Sequence, residues 1–219
     1  KWERATVETV KFAAEDNIAW ETIKGSAIDI QARKIIRLTE AVVKSVDDYI
    51  WDKLSEDRNF SSTLLIQSYS ISTNKWWNGS SAAIVKDLLE AKRLIGEANY
   101  ETSNLICFIS PRDHKSIMTF LHDKGAQYNT LAEDIAINGR AERVSGIQLV
   151  DSLSVTASFA LVCVPKTCAT YKEFEALKST TITDPYKSVT LRVVEEGAIE
   201  LTDPKAIVLI RNTFDSGEG

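Results

Sequence analysis

The chain is poor in the residue types that most often announce chemistry. Its 219 residues include only two histidines, three cysteines, one methionine and four prolines. His114 and His122 are not at the i,i+4 spacing that brings two imidazoles to one metal ion. Cys163 and Cys168 have no set of further ligands at metal-binding spacing, so no metal is expected. An odd cysteine count in a chain of this size is not a disulfide framework. Cys107 in "LICFIS" and Cys163 in "FALVCVP" read as small buried hydrophobes, and a reducing compartment suits them. GxSxG, a phosphate-cradling glycine loop and GxGxxG are all missing. The nine glycines are scattered, each where a turn or helix cap would use it. No cofactor and no catalytic residue is assigned.

Long runs of one character are missing too. No basic tract appears, the net charge is −5 and the sequence pI is about 5.2, which argues against sequence-reading of nucleic acid. No apolar run approaches the roughly 20 residues that span a bilayer, and no signal peptide is visible. The chain opens on Lys1 rather than Met, as expected of a processed or truncated product. Asn78-Gly79-Ser80 matches a glycosylation sequon, but without a secretory signal it is read as a turn. With 44% hydrophobic and 26% charged residues, the composition is that of a globular protein with one large domain or two small ones.

What is present is strong patterning. Residues 5–13 partly alternate and predict a short strand or extended arm, with 15–26 as a loop or short helix. From 27 to 54, Ile28, Ala32, Ile35, Val42, Val46, Tyr49 and Ile50 recur at helical steps with no Gly or Pro between them. Ser26 is the expected N-cap, with Asp29 at N3. That is a rod of roughly 40 Å, longer than most globular helices, and it needs a surface to lie on. Residues 55–82 are rich in Ser, Thr and Asn and predict a connector with one strand near Leu64 to Ile66.

A denser α/β stretch follows. Residues 83–95 predict a helix with Ile84, Leu88, Ala91 and Ile95 on one face and Gly96 at its end. "NLICFIS" reads as a buried strand. "SPRDHKSIMTFLHDKG" reads as a helix with Ser110 as N-cap, Pro111 at N1, Asp113 in the first turn and Gly125 after the end. "RVSGIQLVDS" and "ASFALVCVP" read as strands. The rest is strand-dominated: "ATYKEFEAL", then "SVTLRVVEEGAIELTDP" as a long strand or a hairpin turning at Glu196-Gly197, then "KAIVLIRN".

Candidate chemistry is thin. Carboxylate pairs at Asp47-Asp48, Glu133-Asp134 and Glu195-Glu196 are what any protein this size contains. Trp20, Trp51, Trp76 and Trp77 lack the interleaved cations of a nucleic-acid platform, so packing or an interface is the better reading. A Cys-dependent hydrolase using Cys168 and His114 is the enzymatic alternative, resting only on the presence of both residues.

The order of these stretches resembles the major capsid protein fold of tailed bacteriophages and related archaeal viruses, the Hong Kong 97-type fold, which encapsulin shells share. "SAIDIQARKIIRLTEAVVKSVDDYIWDKL" looks like that family's spine helix. "WWNGSSAAIVKDLLEAKRLI" is similar to its passage into the axial domain, a Trp-containing turn before an Ala/Leu-rich helix. "NLICFISPRDHKSIM" resembles its strand–Pro–helix step. "INGRAERVSGIQLVDSLSV" resembles its glycine loop, strand and Ser-rich turn, and "SVTLRVVEEGAIELTDPKAIVLI" its closing pair of strands. The likeness runs from about residue 18 to 212. It departs at the start, where the N-terminal arm and extended loop are absent or reduced to residues 1–13. Lys1 is open to two readings, a maturation cleavage or a trimmed end, and no autocatalytic crosslink is assigned.

The resemblance implies an α+β chain of discontinuous domains. Residues 1–13 would be a residual arm. Residues 14–75 and 166–201 would form a peripheral domain with the spine helix on a sheet, and 76–165 and 202–219 an α/β axial domain. Trp76 and Trp77 would then pack at the domain junction or on a neighbouring subunit. The function implied is structural and not enzymatic: a head subunit that assembles with itself into pentamers and hexamers of an icosahedral shell. That shell would enclose viral double-stranded DNA without sequence-specific binding, in a virion assembled in the host cytoplasm. Scaffold, maturation protease and portal are the implied partners, with no membrane. An encapsulin-type nanocompartment shell is the alternative within the same fold.

Overall fold

The computed structural model describes residues 8–25, 29–55, 66–72, 75–124, 143–184 and 186–214. The chain divides into two compact units, Lys1–Ile50 with Thr170–Glu200, and Trp51–Ala169 with Leu201–Gly219.

The first unit is a three-stranded sheet and the helix that covers it. Strand β1 (Val10–Ala19) pairs antiparallel along its whole length with β8 (Ser188–Leu201), from Val10 opposite Gly197 to Ala19 opposite Ser188. On the far side of β8 lies β7 (Ala169–Thr183). The strand at the start of the chain therefore lies later than expected, and Glu15, Asp16 and Asn17 are strand rather than loop. Each of the three finds a polar partner: Arg192 pairs with Glu15 at 2.6 Å, Lys34 with Asp16 at 2.6 Å, and the Thr190 hydroxyl donates to Asn17. Cross-strand pairing of this kind overrides local propensity.

Helix α1 (Trp20–Gly25) follows β1, and the long helix α2 (Ile30–Leu54) follows α1. Its 25 residues span about 37 Å. Asp29 caps it: its side chain accepts the Ala32 N–H at 3.0 Å. Asp29 is thus the cap rather than N3, and Ser26 and Ile28 lie outside the described residues. Ile30, Ile35 and Leu38 pack on Ile18, Val189 and Leu191 of the sheet. The rod has the surface its apolar stripe requires.

The second unit is built on a mixed six-stranded sheet of order β2-β9-β6-β3-β5-β4. These strands are β2 (Gln67–Ser70), β3 (Leu105–Ile109), β4 (Arg143–Val144), β5 (Ile147–Asp151), β6 (Phe159–Cys163) and β9 (Ile207–Arg211). All five residues of β9 are buried. It runs parallel to β2 and antiparallel to β6. Helix α3 (Ile84–Glu97) buries Ile84, Leu88, Ala91 and Ile95, the expected face. Those residues share a core with Leu105, Cys107 and Ile109 of β3 and with Ile117 and Leu121 of helix α4 (Pro111–Asp123).

Three details differ from expectation. Helix α3 does not stop at Gly96. Asn99 takes the left-handed conformation (φ 65°), with Asn99 N–H to Gly96 C=O at 3.0 Å and Tyr100 N–H to Ile95 C=O at 3.3 Å. That pair of bonds is a Schellman closure built on asparagine. "RVSGIQLVD" is two strands, β4 and β5, joined at Ser145-Gly146 with φ of 55° and 82°, the two-residue type I′ hairpin. The strand expected near Leu64 to Ile66 is β2, at 67–70; Ile66 is buried, and Leu64 lies outside the described residues. Strand β2 extends the six-stranded sheet beside β9, within the second unit. Val10 to Ala13 lie in β1, the strand alternative for residues 5–13.

Candidate functional site

The tryptophan turn resolves into hydrogen bonds. Gly79 N–H donates to Trp76 C=O at 2.9 Å and Ala82 N–H to Gly79 C=O at 3.2 Å, so the sequon is a turn as read. Trp76 is half-buried. Trp77 is 2% exposed, and its backbone N–H donates to Thr213 C=O at 2.8 Å. Its indole N–H donates to Asp87 Oδ2 at 3.0 Å, while Tyr69 O–H donates to Asp87 Oδ1 at 3.1 Å. Trp77 therefore sits in the core of the second unit, where the sequence placed it at a domain junction or on a neighbour. Burial holds the Asp87 carboxyl above its ordinary pKa, against the opposing pull of the Trp77 and Tyr69 bonds and of Lys75. Tyr69 is pushed up to about 12 by burial and by Asp87.

A second buried carboxylate lies at the start of α4. Ser110 Oγ accepts the Asp113 N–H at 3.1 Å, the cap that the sequence announced. Asp113 Oδ2 accepts the Ser110 and Thr213 hydroxyls, each at 3.0 Å. Burial raises the Asp113 pKa, with those two bonds and Arg112 opposing. Both carboxylates tie elements together.

Between the tryptophan turn and α4 runs an open groove of about 840 Å³, lined among others by Trp77, Arg112, Lys115, Phe120, Lys124 and Phe214. The Arg112 guanidinium lies over the Phe214 ring at 4.5 Å. His114 is half-buried in the first turn of α4, and exposed His122 stands 3.7 Å from Asp123 in the last. Cys168 is buried, and the side chain that most perturbs its thiol is Cys163, not an imidazole. Among the described residues no group of three or more His, Cys, Asp or Glu side chains is placed to hold a metal ion. Glu133 and Asp134 lie outside them.

The exposed apolar side chains form the other conspicuous feature. Phe174, Leu177 and Ile182 project from β7, and Tyr186 in the turn that follows is 97% exposed. On α2, Ile36 and Val43 lie two turns apart and outward. Sequence periodicity could not single them out, because β7 carries no two-fold alternation beyond its first few residues.

No protein-family profile and no curated protein sequence matches the chain. Solved structures do. The chain has the fold of phage major capsid proteins, the Hong Kong 97-type fold, in its α+β form. A structure from Mycobacterium phage Che8 matches with a TM-score of 0.73 at 14% identity, over 94% of this chain and 72% of that one. The capsid of cyanophage P-SCSP1u matches with 0.72 at 13% identity, over 94% and 73%. A virus-like particle from Pyrococcus furiosus matches with 0.61 at 15% identity, over 94% and 77%.

Proposed function

We propose that the chain is a major capsid subunit that assembles with itself into an icosahedral shell around viral double-stranded DNA. The observation that carries this is the match of 94% of the chain to phage capsid architecture, which leaves little of it for another purpose. In this reading the first unit is the peripheral domain, with α2 as its spine helix, and the second is the axial domain. The role is structural and non-enzymatic. The outward apolar residues of β7 and α2 support it, since a shell subunit needs extended contact surface rather than a pocket. The absence of a basic run is compatible with enclosing DNA, because a packaging motor and counterions supply what fixed charge would.

Pentamers and hexamers are the expected oligomers. Scaffold, maturation protease and portal are the expected partners, and the virion, assembled in host cytoplasm, the expected location. No described helix is long and apolar enough to cross a membrane. No observation favours the nanocompartment alternative over the head subunit. Electron microscopy of the protein expressed with its neighbouring genes tests the proposal. Closed shells or capsomer rings carrying this chain support it. A chain that stays monomeric at high concentration, with those genes present, overturns it.

A further inference from the structure

The chain changes character after Arg211. Up to that residue β9 belongs to the sheet: Arg211 pairs with Ser70 of β2 and Phe159 of β6, and its C=O accepts the Ile71 N–H at 3.0 Å. Asn212 then takes the left-handed conformation (φ 60°), which asparagine adopts more readily than most side chains, and the strand ends. Asn212 is exposed, Thr213 fully buried and Phe214 half-buried. Each hydrogen-bonding group of Thr213 goes to a different segment. Its C=O accepts the Trp77 N–H of the tryptophan turn at 2.8 Å, and its N–H donates to Ser158 C=O at 3.1 Å. Its hydroxyl donates to Asp113 Oδ2 at the start of α4, at 3.0 Å. Phe214 repeats two of these attachments: its C=O accepts the Ser158 hydroxyl at 3.0 Å, and its ring lies under the Arg112 guanidinium at 4.5 Å. Three segments far apart in sequence thus meet on two residues.

We propose that residues 212–214 form a strap, hinged at Asn212, that lifts from the second unit as one piece while the six-stranded sheet stays closed. The hinge falls one residue past the ladder, so no pairing of β9 with β2 or β6 has to break. The Trp77 indole can stay in the core as well, because its own bond is to Asp87 and not to the strap. One group in the closed form favours lifting. Asp113 Oδ1 is buried without a partner among the described residues, and a buried polar atom left unpaired gains by meeting water. Local opening of this kind, well short of global unfolding, is an ordinary property of folded chains.

Lifting changes the groove between the tryptophan turn and α4. Phe214 leaves its wall, the Arg112 guanidinium is released from the ring, and Asp113 meets solvent. The second unit then has two forms of one surface on an unchanged sheet. Under the capsid reading, on which this use of the strap rests, a subunit placed in both pentamers and hexamers can offer its neighbours either form.

The test is native-state amide exchange of the folded full chain, read residue by residue by NMR. The Trp77 and Thr213 amides should share one protection factor, below that of Ile71, whose bond lies on the sheet side of the hinge. Thr213→Val removes only the hydroxyl bond to Asp113, and Ser158→Ala only the hydroxyl bond to Phe214. Neither change touches the bonds that protect the Trp77 and Thr213 amides. Each variant should nevertheless lower both protection factors by one common factor of about two to ten, the worth of a single hydrogen bond, and leave Ile71 unchanged. Unequal factors at Trp77 and Thr213, or no change at either, would overturn the proposal. So would Ile71 falling in step with them, since the opening would then be global. Exchange is read on the unassembled subunit, so failure of the capsid reading leaves this result unaffected.

Discussion

Asp113 Oδ1 has no hydrogen-bond partner among the described residues, although its residue is fully buried. The other oxygen holds Ser110 and Thr213, so removing the side chain would free two hydroxyls and unseat a helix cap. Leaving it ionised at neutral pH also costs stability. A carboxyl whose folded pKa lies above its unfolded value binds more protons folded than unfolded. Its contribution therefore improves as pH falls from neutral through the folded value, and is complete below the unfolded value of about 4. Asp113→Asn keeps an acceptor for both hydroxyls and cannot ionise. It should lose most where the wild type gains, so the stability difference between variant and wild type shifts in the wild type's favour from pH 7 to pH 5. Urea midpoints at the two pH values check this.

Asp87 gives a related prediction. Trp77→Ala removes a fully buried indole and should cost about 3 to 5 kcal/mol. Trp77→Phe keeps most of the volume and removes one donor from a buried carboxylate, for about 1 to 3 kcal/mol. Since the Trp77 bond lowers the Asp87 pKa, its loss raises that pKa further. The Trp77→Phe penalty should accordingly be larger at pH 7 than at pH 5. Equal penalties at both, or one below about 0.5 kcal/mol, would show that the indole–carboxylate bond contributes nothing.

At the scale of elements, legibility followed locality. The step from β3 through Ser110 and Pro111 into α4 was readable because cap, N1 proline and apolar face all lie within one short window. The buried face of α3 was readable for the same reason. The features that were missed depend on residues far apart in the chain. The polar end of β1 is a strand because β8, more than a hundred residues away, supplies Arg192 and Thr190. Trp77 is a core residue because Asp87 and Tyr69 satisfy its surroundings, and no spacing rule relates the three.

At Gly197 the sequence left two readings open. The stretch "SVTLRVVEEGAIELTDP" reads as a long strand or a hairpin with its turn or bulge at Glu196-Gly197, and β8 is the long strand, passing through Gly197 unbroken. The smallness of Gly197 serves Tyr171, whose hydroxyl would lie 2.2 Å from an added Cβ. That hydroxyl donates to Glu195 Oε1 at 3.0 Å and is pushed up to about 12 by burial and by Glu195. Gly197→Ala should destabilise by about 1 to 3 kcal/mol, as overpacking does. In a Tyr171→Ala background the same change should be neutral or stabilising, because alanine suits a strand better than glycine does. A double-mutant cycle measures the coupling. Purely additive effects would place the role of Gly197 elsewhere.

For the whole molecule, the prediction concerns separable folding and assembly. Phe174 and Tyr186 are 78% and 97% exposed, so Phe174→Ser and Tyr186→Ser should change folding stability by less than about 0.5 kcal/mol. If these rings are covered in a shell, the same changes should raise the concentration needed for assembly by about tenfold or more, the equivalent of about 1.4 kcal/mol per contact. Light scattering during assembly, set beside thermal melts of the subunit, reads both quantities.

The arrangement of the three-stranded sheet carries one further consequence. With β8 in the middle, β1 and β7 are the edge strands of this sheet among the described residues. Lys172, Glu173, Glu175 and Lys178 place charge along the first part of β7, and charge on an open edge discourages indiscriminate pairing. Beyond Lys178 that guard ends. Ser179, Thr180, Thr181, Ile182 and Thr183 form a mainly β-branched, uncharged run on an open rim, the composition from which stacked fibrils start. A subunit stored without its neighbours would therefore be liable to slow, amyloid-like clumping from this rim, and a lysine at Thr181 would be the simplest safeguard during handling.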